Sequence, residues 1–321
     1  MVLPAVPLAA GDISLPAIIH DAGEKAGWRF IDFFTATIRN PNTREAYFRA
    51  VWRFFDWCNV QGVTELRTVR PMIVAGYVEA MLAGGMSRPT VKQHLAAIRK
   101  LFDWLTTGGI LDVNPAASVQ SPKHIVRQGK TPVLDAAQTR KLLDSIPINT
   151  LAGLRDRALL GVMVYTFGRV GAVVAMQVED YYQNGKRWCF RLHEKGGKEH
   201  MVPAHHNAEE YVDAWLKAAK IRNELKTPLF RSINRYREVT ENGMDRRDVL
   251  AMTKRRAKHA GLPYTTCCHT FRATGITAYL ENGGELEHAR AIAAHESSQT
   301  TRLYDRAGDK VTLDEIERIR I

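Results

Sequence analysis

Apolar positions in the first third of the chain recur at helical spacing. Tyr47, Val51, Phe54, Phe55 and Cys58 share one face, and Val91, Leu95, Ile98, Phe102 and Leu105 share another. The spacing predicts two amphipathic helices. Asn42 with Glu45 three residues on fits a capping box for the first. The second opens near Ser87 and meets a stop at Gly108-Gly109. Residues 1–25 read as a tail. They are apolar but lack the basic start of a signal peptide and carry Asp12, and no apolar run in the chain reaches membrane-spanning length.

Residues 113–133 carry three prolines and a cluster of basic residues, the composition of a linker. A new helix opens at Asp135, with Gln138 as capping-box partner. Residues 153–166 read as a buried helix. The period then shortens: Trp188–His193 reads as a strand, Gly196-Gly197 as a tight turn and His200–Val202 as the returning strand. Helical patterns resume from about residue 207. The expected architecture is mainly α with a small antiparallel β-sheet. A helical module spans 26–121, a linker 122–133 and an α+β module 134–321.

Composition then narrows the partners. A chain of 321 residues with 45% hydrophobic content can bury two cores. Its formal charge is +11, and the excess of Lys and Arg is spread over both modules, which favours a polyanion gripped from two sides. The polar side of the helix near Ser87 carries Arg88, Lys92, Arg99 and Lys100. A second basic run holds Lys254, Arg255, Arg256 and Lys258. Each set reads either as DNA-backbone contacts or as a solvated helix face. The four cysteines form no C-x-x-C pair, which suits a reduced, cytoplasmic setting. His205-His206 lacks the i,i+4 spacing and the acidic or Cys partner that a metal site needs.

Four segments carry candidate chemistry: YTFGR ending at Arg169, HEKGGKEHMVP containing Lys195, HTFR giving His269 and Arg272, and AAHESSQTTRLYDR giving His295 and Tyr304. Each is unremarked alone. Their order is not: Arg, hairpin Lys, H-x-x-R, then H-x-x-x-x-T-T-x-x-Y. In that order they resemble the tyrosine recombinase, or phage integrase, family. The helical module is similar to that family's core-binding domain and the second module to its catalytic domain. The resemblance implies roles. Arg169 and Arg272 would clamp the scissile phosphate, Lys195 would protonate the departing 5′ oxygen, and His269 would assist proton transfer. His295 would hydrogen-bond a phosphate oxygen, and Tyr304 would attack. The residue types suit the task. Guanidiniums stay charged and offer bidentate donors to an oxyanion. A phenol of pKa ~10 needs a base or a positive field to react near neutrality. A 5′ alkoxide needs a general acid to leave.

The resemblance further implies a site-specific recombinase that needs no metal or cofactor. It would act on double-stranded DNA as a homo-tetramer across two sites, with accessory proteins an option, in a bacterial cytoplasm at the nucleoid. The same residues would serve a type IB topoisomerase-like enzyme, and a catalytically silent accessory factor would need only the DNA contacts. Three positions depart from the family pattern. Ala172 stands where an acid usually follows the first arginine by three, T-F-G-R replaces T-G-x-R, and Ala294 replaces the usual Gly before the last histidine. After Tyr304, Thr312 and Glu315 fit a capping box. Val311, Leu313, Ile316 and Ile319 form an apolar edge for packing in cis or on a neighbouring subunit.

Overall fold

The structure, a computed structural model, describes residues 15–124, 129, 131–194 and 197–305. It divides into two compact units, Met1–Ile125 and Val126–Ile321. No helix among the described residues is long and apolar enough to cross a membrane.

The first unit is helical: α1 (Ala17–His20), α2 (Glu24–Thr35), α3 (Pro41–Val60), α4 (Pro71–Ala83) and α5 (Arg88–Thr107). Helices α2, α3 and α4 all pack on α5. The apolar stripes read from the sequence enter the core, with Phe54, Phe55, Leu95 and Phe102 buried, and Phe30 and Phe33 of α2 join them. Burying each such side chain contributes roughly 1.5–3 kcal/mol. A reciprocal link fixes α2 on α5. The Arg29 guanidinium donates to Trp104 O at 2.9 Å, and the Trp104 indole donates to Arg29 O at 2.8 Å. Two expectations need correction. The tail of residues 1–25 includes α1, whose Ile18 and Ile19 are buried, and the start of α2. Helix α3 begins earlier than the Asn42–Glu45 box. Asn40 is its N-cap, accepting from the Asn42 and Thr43 N–H groups, and Pro41 supplies the preset φ of the first turn. Ser87 caps α5 and Gly108 ends it, as the pattern predicts.

The second unit opens with α6 (Ala136–Asp144), held by the Asp135–Gln138 capping box. The central helix α7 (Leu151–Tyr165) is apolar on nearly all sides, the pattern of a buried helix. It is covered by α9 (His206–Ala219) and α11 (Cys268–Glu281). Gly275 on α11 permits the close approach, because a Cβ there would sit 2.2 Å from Val164 O. Between α7 and α9 lie α8 (Val170–Val174) and a three-stranded antiparallel sheet ordered β1 (Tyr181–Asn184), β2 (Arg187–His193), β3 (Glu199–Pro203). The β2–β3 register runs from Cys189 opposite Pro203 to His193 opposite Glu199, and the Glu194 N–H donates to Lys198 O at 2.7 Å. The two expected strands are therefore in place; Gly196 of the expected turn lies outside the described residues.

Helices dominate the described residues beyond 207, as expected, with one unforeseen hairpin, β4 (Arg231–Ile233) with β5 (Val239–Gly243). Its strands are too short and polar to show alternation. Helices α10 (Arg246–His259), α12 (Leu286–Ile292) and α13 (Ser298–Arg302) complete the described fold. The four cysteines are free.

Candidate active site

Three loops and one helix bring the chemistry together in the second unit. Arg169 is the N-cap residue of α8. His269 and Arg272 lie on one face of α11. His295 follows α12, and Tyr304 follows α13. A small apolar cluster of Phe167, Ala273, Ile276, Ala289, Ala293 and Tyr304 underlies them, separate from the main core. Lys195 lies outside the described residues.

Tyr304 is buried, and its hydroxyl lies 3.0 Å from His269 Nε2. The His295 ring stacks parallel to the phenol at 5.9 Å between centroids. The Thr277 hydroxyl on α11 donates to Tyr304 O at 3.1 Å, so the nucleophile's backbone is pinned to the helix that carries the H-x-x-R pair.

Arg272 is 1% exposed. It donates to Phe167 O at 2.5 Å and to Ala293 O at 2.6 Å. Those carbonyls flank two non-glycine residues with positive φ, Phe167 at 54° and Ala294 at 48°. They are two of the three departures noted above. The backbone keeps a left-handed geometry at both positions although the side chains disfavour it, and Arg272 ties both turns together. Strain held in place by a surrounding network is common at functional sites.

The local field is positive. Burial lowers the His269 pKa, and Arg272 and Arg169 lower it further. His295 is pushed down to about 3 by burial, then by Arg272, Arg169 and His269. Both rings are therefore neutral near pH 7. Burial raises the Tyr304 pKa, while Arg272 and Arg169 pull against it. Arg272 is lowered to about 10 by burial and by Arg169, with Glu194 and Tyr304 opposing.

Two contributors escaped the sequence reading. Glu194 forms an ion pair with Arg169 at 2.5 Å. It directly precedes Lys195, and no spacing marks it. Thr301 is buried and its hydroxyl lies 2.9 Å from His295 Nδ1; its signal was the T-T of the final block. A third link joins the hairpin to the same region, where His200 Nε2 donates to Ile292 O at 3.1 Å.

The candidate DNA-contact residues divide. Arg99 spends its guanidinium on Ala116 O, Ser121 Oγ and Val119 O, and Arg256 is paired with buried Asp156 at 2.7 Å. Each of these two guanidiniums meets acceptors presented by a neighbouring segment. Lys92 and Lys100 are exposed. Arg88 is exposed and touches Lys123 O, Lys254 touches Tyr264 O, and Arg255 lies 3.5 Å from Asp156 with its side chain 61% exposed. His205 is the N-cap of α9, stacked on Tyr165. No group of three or more potential ligands is placed to hold a metal among the described residues.

Comparison with known proteins places these features in a lineage. The family model described as "Phage integrase family" matches residues 132–310, and "Phage integrase, N-terminal SAM-like domain" matches residues 30–109. Tyrosine recombinase XerD of Listeria monocytogenes serotype 4b is 27% identical over 266 residues, covering 83% of this chain and 88% of that one. Tyrosine recombinase XerC of Xanthomonas campestris pv. campestris is 25% identical over 306 residues, covering 94% and 91%. Among solved structures, XerH recombinase bound to a palindromic difH substrate superposes with a TM-score of 0.70 at 19% identity, covering 94% and 86%. A lambda integrase dimer bound to a COC′ core site gives 0.67 at 17%, covering 92% and 80%.

Proposed function

This chain belongs to the phage integrase family, and on that footing we propose that it is a site-specific DNA recombinase with Tyr304 as nucleophile. The observation that carries the proposal is the 3.0 Å contact between the Tyr304 hydroxyl and a His269 ring held neutral beside two arginines. A neutral imidazole accepts the phenol proton through Nε2 as the oxygen attacks phosphorus. Arg169 and Arg272 take the charge that grows on the phosphoryl oxygens. A preorganised donor of this kind is worth typically ~2.7–4 kcal/mol. The Thr301 hydroxyl, donating to His295 Nδ1, leaves the ring proton on Nε2 to donate to the same phosphate. Lys195 delivers a proton to the 5′ oxygen as it leaves. The 3′-phosphotyrosine conserves the phosphodiester energy, and a 5′ hydroxyl reverses the step without ATP.

The first unit supplies DNA grip. Arg88, Lys92 and Lys100 on α5 are its contact residues, and Lys254 and Arg255 on α10 are those of the second. Tyrosine recombinases act in assemblies; one solved relative is a lambda integrase tetramer on a Holliday junction, with a TM-score of 0.64. Extending that to this chain gives a homo-tetramer on two duplex sites, working in the bacterial cytoplasm on nucleoid DNA. The test is strand exchange. The full chain is given two labelled duplexes of a sequence it enriches from a random pool, and a supercoiled plasmid with one copy. Recombinant duplexes are the expected product. Relaxation of the plasmid with no exchange would replace this reading with the topoisomerase-like one.

A further inference from the structure

Arg169 is held by an acid that comes from the hairpin, not from its own helix. Glu194 is 7% exposed, whereas the Arg169 side chain is 41% exposed. A pair that served packing alone would bury both ends. Here the carboxylate is sunk and the guanidinium faces the open side, with Nη1 on Glu194 Oε2 at 2.5 Å. The other donors of the fork remain available to an oxyanion. Glu194 Oε1 is buried and has no hydrogen-bond partner among the described residues. A buried carboxylate with one unpartnered oxygen is costly, and the Arg169 guanidinium is the charge set against it. On α8 itself, the position one turn on is Ala172, which is buried and offers no charge. Glu194 also balances the mutual repulsion of Arg169 and Arg272.

We infer that Glu194 is the positioning residue for Arg169, fixing its guanidinium on the scissile phosphate and tying it to the end of β2. This rests on the reading that Arg169 clamps that phosphate. Glu194 donates nothing to the substrate. It removes the rotamer freedom of a long side chain and leaves the rest of the fork aimed outward.

The test uses the full chain on a nicked duplex built from the pool-enriched sequence. Single-turnover formation of the covalent adduct and duplex Kd are measured for wild type, Glu194→Ala, Glu194→Gln, Arg169→Ala and the Arg169→Ala/Glu194→Ala double variant. Glu194→Ala is expected to slow adduct formation by about 100-fold, the scale of a small misplacement of a reacting group, with Kd changed by less than about threefold. Glu194→Gln keeps the shape and one neutral acceptor, and loses about tenfold. In the Arg169→Ala background, removing Glu194 has little further effect. The Glu194→Ala loss also shrinks on a duplex whose scissile phosphate is a neutral methylphosphonate, since no charge is left to clamp. A wild-type rate in both Glu194 variants, or an undiminished loss without Arg169, overturns the inference. Wild type without any adduct overturns the recombinase reading itself, and the inference with it.

Discussion

His295 shows how a residue's surroundings set its chemistry. Its folded pKa of about 3 lies below the ordinary histidine value, so in acid the unfolded chain takes up a proton that the folded chain refuses. The stabilisation is complete above the ordinary histidine pKa of ~6.5. It is lost progressively as pH falls toward the folded value. Thermal unfolding should therefore show a Tm that declines below that range, and His295→Gln should flatten the decline; an unchanged slope would contradict the assignment. Ala294 makes a second case, with φ at 48°. A left-handed residue costs roughly 1–2 kcal/mol and glycine's extra chain freedom returns part of that, so Ala294→Gly should stabilise by roughly 0.5–1 kcal/mol. Loss of stability in denaturant titration would mean that the methyl packs better than the backbone strains. Tyr304, His269, Arg272 and His295 were legible because they sit at fixed spacings along two short segments. Glu194 was not, since its tie to Arg169 spans 25 positions and exists only once the hairpin folds against α8.

At the scale of elements, the buried Asp156 on α7 organises more than the sequence pattern suggests. Its Oδ1 accepts from Arg155 at 2.7 Å and its Oδ2 from Arg256 at 2.7 Å, which bolts α10 to α7. Arg155 continues to Arg231 O at 3.1 Å, reaching β4. Removing one partner of a buried pair typically costs about 3–5 kcal/mol, because the remaining charge is stranded. Asp156→Ala should lose stability on that scale in urea, and a loss within the range of a surface substitution would show the arginines relaxing into solvent. Such contacts between segments are not legible in the sequence. Helical periodicity places Arg99 and Arg256 on polar faces, but it says nothing of the carbonyls and carboxylate that neighbouring segments bring to them. The α3 start was misplaced because Asn40-Pro41 supplies both cap and first-turn geometry two residues ahead of the Asn42–Glu45 match. By contrast, α5 and the β2–β3 hairpin were read closely, since each has a strong period and unambiguous stops.

For the whole molecule, a basic chain with a helical first unit and a mixed second one concentrates its reacting groups in the second. There, burial and the guanidiniums together lower the two histidines, and they oppose each other at Tyr304. Burial keeps the Tyr304 phenol protonated at rest, and the same two arginines wait for the charge that appears when it attacks. The family pattern was visible in the sequence because the reacting residues keep their order. The support beneath them was not, because Glu194, Thr277 and the apolar cluster around Phe167 act through contacts between distant segments. The most direct measurement incubates the full chain with a nicked duplex of its enriched sequence and maps any covalent product by mass spectrometry. The account predicts a nucleotide joined through a 3′-phosphate to the peptide that contains Tyr304, absent in Tyr304→Phe while duplex binding is retained. A linkage at any other residue, or an adduct that survives in Tyr304→Phe, would contradict it.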